Sequence, residues 1–314
     1  MNIMRALAVD PVWQTSRVVE APIPRPRAGQ ILVEVRVTAV NEMDAQVRKG
    51  GWAGQVKAFR RDGPVLTGFE FVGVARSHGR RIRADQRVIG YSPVLDGPRT
   101  HAAFVAIDER AVHAIPQSLT DDAAAALVVM GLTAIEVLER ICPVEPEQKV
   151  LVIGAAGGLG VYCVQLAANR GADVTAIASR ANAEWLTQQG ARRVRAYETD
   201  TAFQPGDAFD LIIDTPAQMS FRKAAPNLAR HGMYVSSNPT ADVVGFVRAS
   251  LSSRRAGYLM LLKADPDRLN RLVKLAVAGV LRPAIDSVFT LAEADDAFAR
   301  FETRGKQGRV LIRI

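Results

Sequence analysis

The chain has 314 residues, 48% of them hydrophobic, enough for one large core or two medium ones. No run approaches the ~20 apolar residues of a membrane span, and the start of the chain leads into a strand-like segment without the charged and apolar regions of a secretory signal, so a cytoplasmic protein with no membrane partner is expected. The net charge of +8 is scattered over short patches (Arg80-Arg81-Ile82-Arg83, Arg192-Arg193-Val194-Arg195, Arg254-Arg255) without interleaved aromatics, which argues against a nucleic-acid partner and for long-range attraction of small anions.

Residues 1 to about 118 are rich in β signals: Gln30 to Val37 alternates apolar and polar, and Gly and Pro punctuate the segment. From 119 to 260, strands alternate with helices, the pattern of a parallel sheet covered on both faces. Within it, Lys149 to Ile153 reads as an apolar strand that runs into the turn Gly154-Ala155-Ala156-Gly157-Gly158-Leu159-Gly160. Leu159, Tyr162, Cys163, Leu166 and Ala167 then keep a helical rhythm, Asn169-Arg170-Gly171 ends it like a C-cap, and Asp173 to Ala178 reads as a second strand. A complete strand–turn–helix–strand unit around such glycines points to a dinucleotide site. The helix N-terminus offers free N–H groups to a pyrophosphate, and residues without side chains let it approach. Ala155, Ala156, Gly157, Gly158, Leu159 and Gly160 are the candidate contacts; the plainer reading is a packing turn.

The end of the second strand discriminates between dinucleotides. NAD sites usually carry Asp or Glu there to bind the ribose 2′-hydroxyl. Here the segment is Ala178-Ser179-Arg180-Ala181-Asn182, without a carboxylate. Ser179 can donate a hydrogen bond to a 2′-phosphate and Arg180 can pair with it, so NADP(H) is the expected cofactor; otherwise Arg180 is a solvated loop cation. Asp210 to Asp214 and Met233 to Ser236 are further strands. Ser236 and Ser237 stand at the C-terminal end of the fifth, where ligands gather in open α/β sheets, and either touch the nicotinamide half or cap the following loop. Asp267 to Ala278 and Ala292 to Arg304 read as amphipathic helices, and Gly308 to Ile314 as a closing strand. Residues 261–314 are expected to pack back onto the first unit. Two cysteines, Cys142 and Cys163, fit a reducing compartment rather than a disulfide framework.

Several motifs in order then make the chain recognisable: Val40-Asn41-Glu42-Met43-Asp44 with Arg48 and Gly50, Thr67-Gly68-Phe69-Glu70-Phe71-Val72-Gly73, Asp85-Gln86-Arg87-Val88-Ile89-Gly90, Gly131-Leu132-Thr133-Ala134, the glycine turn, and Gly305-Lys306-Gln307-Gly308-Arg309-Val310. Nearly end to end, the chain resembles the zinc-free quinone-oxidoreductase-like branch of the medium-chain dehydrogenase/reductase superfamily. The resemblance implies an α/β protein in which a GroES-like, partly barrelled β domain, built from residues 1–118 and 261–314, flanks a Rossmann doubly wound parallel sheet in 119–260. It also implies a homodimer formed through Rossmann edge strands.

In zinc-dependent relatives a cysteine ligand stands at the position of Asn41 and a histidine at that of Phe69; Phe cannot bind zinc and Asn is a poor substitute for a thiolate, so no metal is expected. His78, His101, His113 and His231 have no metal-binding spacing. The implied activity is hydride transfer from NADPH to a small hydrophobic acceptor that is already electrophilic, a quinone or an α,β-unsaturated carbonyl. The resemblance places Asn41 near the nicotinamide, where the alternative is a turn residue satisfying local backbone. It places Thr133 in the cofactor pocket at the start of an interdomain helix, where the alternative is a hydroxyl bonded to its own backbone. Many relatives carry Tyr where Gln46 stands, which makes Gln46 a candidate contact to the acceptor, with Trp52 as a nearby aromatic surface. Asp44, Glu70 and Asp214 are expected to hold hydrogen bonds or ion pairs at a domain seam. The alternative function is an NADPH-binding sensor or assembly protein with little turnover. Short-chain dehydrogenase chemistry is excluded because no tyrosine has Lys four residues on.

Overall fold

The computed structural model describes residues 2–10, 12–51, 65–238, 242–258 and 263–314. Lys149–Ile153 lies inside a six-stranded parallel sheet, with Asp173–Ala178 and Arg193–Ala196 to one side and Phe209–Asp214, Leu228–Ser236 and Arg255–Tyr258 to the other. Strand order therefore reverses at Lys149–Ile153, which makes its C-terminal end a topological switch point. Val150, Val152, Val174, Ala176, Leu211 and Ile213 are all fully or almost fully buried, the near-continuous apolar run of strands covered on both faces. The helix Gly158–Asn169 packs in one cluster with the helices Asp121–Ile135 and Pro266–Val277.

Two strands come from segments read in the sequence as cationic surface patches. Arg193–Ala196 pairs with Asp173–Ala178, and Arg255–Tyr258 forms the opposite edge. Arg193 and Arg195 do not interrupt the sheet because each finds an acid at its margin. Arg193 pairs with Asp173 at 2.7 Å, and Arg195 binds both carboxylate oxygens of Asp207 at 2.6 and 2.9 Å.

The second body is a seven-stranded sheet. In spatial order it runs Ile285–Thr290, Arg309–Arg313, Gln30–Ala39, Glu70–Ala75, Arg87–Tyr91 and Val112–Ala114, with Phe104–Asp108 also paired to Gln30–Ala39. The long strand Gln30–Ala39 is the reason for the curl. Gln30 to Glu34 pairs with Phe104–Asp108, Val37 to Ala39 pairs with Leu311 to Arg313, and its pairing with Glu70–Ala75 shifts register between Val35 and Val37. A strand that changes partners along one edge bends the sheet toward closure, giving the expected GroES-like, partly barrelled form. A small antiparallel sheet, Thr15–Pro22, Ile3–Asp10 and Val65–Leu66, lies beside it.

The closing strand joins both bodies. Besides its antiparallel pairing with Gln30–Ala39, its entry residue Gly308 bridges to Gly157, and the Gly308 N–H donates to the Ala156 carbonyl at 2.9 Å. Gly308 has φ +95°, and a Cβ there would overlap the Ala284 carbonyl oxygen, so only glycine lets the strand lie this close. Gln307 adds a bond to the Asn182 side chain at 2.9 Å.

Candidate active site

At the switch point the chain leaves Ile153 through Gly154, at φ +73°, and the Gly154 and Ala155 N–H groups both donate to the Ile177 carbonyl (3.1 and 3.0 Å). The Gly157 N–H returns to the Gly154 carbonyl at 3.0 Å, closing the turn. The helix Gly158–Asn169 starts from N-cap Gly157 with no side-chain cap, leaving its first-turn N–H groups unclaimed by any side chain. The glycines divide their tasks. A Cβ on Gly160 would overlap the Gly154 carbonyl, so Gly160 lets the helix approach the turn; a Cβ on Gly158 would meet Arg309 Cδ at 2.6 Å. At Gly157 only the Gly154 oxygen, 3.3 Å away, would be near, so its open side faces away from packed protein.

The second strand is followed by Ser179, a buried residue whose hydroxyl oxygen has no hydrogen-bond partner, while the neighbouring Arg180 is exposed. Here the sequence reading needs correction. The segment 178–182 has no carboxylate of its own, yet the fold supplies one: Glu198, in the turn after Arg193–Ala196, accepts from the Arg180 N–H at 3.1 Å. The Arg180 guanidinium reaches the Thr199 hydroxyl at 3.3 Å. Parallel pairing of strands two and three makes this juxtaposition, which linear spacing along one strand end does not reveal.

The opposite wall comes from the curled sheet. Asn41 precedes the helix Glu42–Arg48, and its N–H donates to Asp44 Oδ2 at 2.9 Å. Its side-chain amide donates to Glu70 Oε1 at 3.0 Å, and its carbonyl oxygen accepts from Arg309 at 2.9 Å. Every polar atom of the Asn41 side chain is thus engaged within the protein, which puts Asn41 in a positioning role. Glu70 is fully buried and ion-paired with Arg309, and its other oxygen accepts the Val129 N–H at 2.6 Å. Burial pushes the Glu70 carboxyl above its ordinary range, against the pull of Arg309 and of the Val129 and Asn41 donors. Arg309, equally buried, therefore spans from this acid to Gly158 at the glycine turn, and its Nε has no partner. The sequence motif alone gives Arg309 no role; an arginine opening an apolar closing strand is the signal.

Asp44 is also buried, accepting from the Gly68 N–H at 2.6 Å, and burial raises its carboxyl while lowering the His101 imidazole nearby. Asp214 departs from its expected place at a seam: it lies within the parallel sheet, accepting from Tyr234 Oη (2.9 Å) and the Met219 N–H (2.7 Å). Ser237 donates to the Thr215 carbonyl at 2.8 Å, and Ser236 accepts from the Asn238 N–H at 3.3 Å, so both serines also serve the loop ends beside the glycine turn. Thr133 does not open a helix; it sits near the end of Asp121–Ile135 with its hydroxyl on the Val129 carbonyl at 2.7 Å, one turn back. Gln46 is half-buried and bonds Glu42 on its own helix at 2.8 Å. Trp52 lies outside the described residues. Phe69 is buried in an apolar cluster with Val9 and Val47, and among the described residues no three His, Cys, Asp or Glu side chains converge as a metal-holding group.

Comparison with known proteins agrees with this architecture. A family model described as zinc-binding dehydrogenase matches residues 189–312. The chain is 26% identical over 309 residues to a chloroplast envelope quinone oxidoreductase homolog of Arabidopsis thaliana, covering 94% of this chain and 92% of that one. It is 27% identical over 302 residues to a 2-methylene-furan-3-one reductase of Solanum lycopersicum, covering 92% and 73%. The solved quinone oxidoreductase of Coxiella burnetii superposes over 100% of both chains with a TM-score of 0.88 at 25% identity. With an ordered set of motifs, a curled sheet closed by the C-terminal strand and a parallel sheet with a glycine-turn switch point, the chain resembles, in sequence and in fold, the quinone-oxidoreductase-like branch of the medium-chain dehydrogenase/reductase superfamily of oxidoreductases.

Proposed function

We propose that the protein is a zinc-independent reductase that transfers hydride from NADPH to a small hydrophobic quinone or α,β-unsaturated carbonyl. The observation that carries this reading is an uncapped helix N-terminus flanked by two buried donors without partners, Ser179 Oγ and Arg309 Nε. A dinucleotide fits that set: the first-turn N–H groups of Gly158, Leu159 and Gly160 and the open side of Gly157 suit a pyrophosphate, and Ser179 with Arg180 suits the adenosine ribose. When bound, the cofactor supplies the hydride.

The chain's own residues position and enclose. Ala155 and Ala156 shape the turn, and Ser236 and Ser237 hold the neighbouring strand end. Asn41 and Glu70 fix Arg309, which keeps the curled sheet against the glycine turn. Orientation and exclusion of water are the contributions available to such a site, since a conjugated acceptor delocalises the charge that develops on its own oxygen. Zinc does not fit: Phe69 offers no donor, and Asn41 has its polar atoms committed to neighbours.

The test is NADPH oxidation followed by absorbance with a panel of quinones and enones, with and without a chelator. Turnover that survives chelation is expected. Tight NADPH binding without turnover on any acceptor would mark a binding protein instead, and loss of activity restored by zinc would overturn metal independence. A cytoplasmic setting belongs to the same proposal; among the described residues no helix is long and apolar enough to cross a membrane.

A further inference from the structure

The corner that receives the adenosine ribose contains two opposite charges that do not neutralise each other. Glu198 has one hydrogen bond, from the Arg180 backbone N–H at 3.1 Å, and the Arg180 guanidinium goes to Thr199 at 3.3 Å; among the described residues neither takes part in an ion pair. The turn that presents Glu198 is firmly built. The Tyr197 N–H donates to the Ala178 carbonyl at 3.0 Å, the Thr199 and Asp200 N–H groups donate to the Ala196 carbonyl at 3.1 and 2.7 Å, and the Asp200 carboxylate accepts the Ala196 N–H at 2.7 Å. Asp200 is thereby committed to the backbone, while the exposed Glu198 is held at the strand end beside the partnerless Ser179 hydroxyl.

We infer that Glu198 is a specificity-determining residue. Its carboxylate opposes a ribose 2′-phosphate and accepts from a ribose 2′-hydroxyl, and so limits the preference for NADPH over NADH that Ser179 and Arg180 create. This rests on the proposed dinucleotide site. A doubly charged phosphate drawn to Arg180 must come within a few ångströms of the fixed anion, and both charges are exposed, so the opposition is real but salt-sensitive. A neutral 2′-hydroxyl meets no such penalty and gains an acceptor.

The test is direct titration of NADPH and of NADH onto the full chain, by nicotinamide fluorescence or calorimetry, for the parent, Glu198→Gln and Arg180→Ala at low and high salt. Glutamine keeps an acceptor for the Arg180 N–H while removing the charge. Glu198→Gln should raise the NADPH-to-NADH affinity ratio roughly three- to thirty-fold at low salt, with a smaller gain at high salt. Arg180→Ala should lower the same ratio. Glu198→Ala, which removes acceptor and charge together, should move it in the same direction as Glu198→Gln and guards against an effect of the amide itself. An unchanged ratio, or an equal shift for both cofactors at both salt levels, would reduce Glu198 to a turn residue and leave the dinucleotide reading standing. Failure of the parent to bind either cofactor would overturn that reading and this inference together.

Discussion

A single arginine ties the site together. Arg309 is buried with Glu70 in an interior that neither charge would enter alone, so the pair is worth most as a constraint on geometry. Arg309→Met should cost about 3–5 kcal/mol because it strands the Glu70 carboxylate without its cation. Glu70→Gln in that background should recover part of the loss, and a double-mutant cycle in denaturant unfolding measures the coupling. Additive effects would show that the pair is energetically idle. Glu70 also shows why residue roles are hard to read from a chain. Its position in a motif suggests a structural acid, but the identity of its partner 239 residues away follows only from the closing strand's docking.

Among the elements, the glycine turn separates packing from binding. Gly160→Ala should destabilise the fold by about 1–3 kcal/mol, because the added methyl overlaps the Gly154 carbonyl. Gly157→Ala meets only the Gly154 carbonyl oxygen, a tight contact at 3.3 Å, and should lower the melting temperature less than Gly160→Ala does while weakening dinucleotide binding. Melting curves beside cofactor titrations check both, and a Gly157→Ala protein with parental affinity would place the pyrophosphate elsewhere. This turn was also the most legible part of the sequence. The strand Asp173–Ala178 has the bounds its periodicity implies, and the helix Gly158–Asn169 stops at its glycine, Gly171 at φ +81°. Those signals are local. The third and sixth strands were hidden because arginine carries no β signal, and the acidic partners of Arg193 and Arg195 lie on other elements. The Glu198 carboxylate was hidden because parallel pairing, rather than chain proximity, brings it to the Arg180 N–H. The resemblance put Asn41 near the nicotinamide; its hydrogen bonds to Glu70 and Arg309 depend on two strands distant in sequence.

At the scale of the molecule, one surface remains to be accounted for. Val243, Val244, Val247 and Leu251 are 61–86% exposed along the helix Val243–Ser250 and just beyond it, next to the edge strand Arg255–Tyr258. Clustered aliphatics beside a sheet edge that is unpaired among the described residues form a surface that self-association would cover. A homodimer through this edge is expected, and Val247→Glu with Leu251→Glu should convert it to a monomer in light scattering. A parent chain that is monomeric at micromolar concentration would refute the arrangement.

The closing strand has a consequence for biosynthesis. Gly308 and Arg309 contact the glycine turn, and Leu311 to Arg313 complete the sheet begun by Gln30–Ala39, so a nascent chain has every glycine of the turn long before it has the strand that braces it. Until the closing strand has been made, the parallel sheet can assemble from neighbouring segments, but the long strand of the curled sheet has an open edge. Closing that edge requires a contact of very high sequence separation, the kind formed late and at the greatest risk of mispairing. The two bodies are therefore joined late, when the parallel sheet can already have formed and the curled sheet still lacks the strand that closes it.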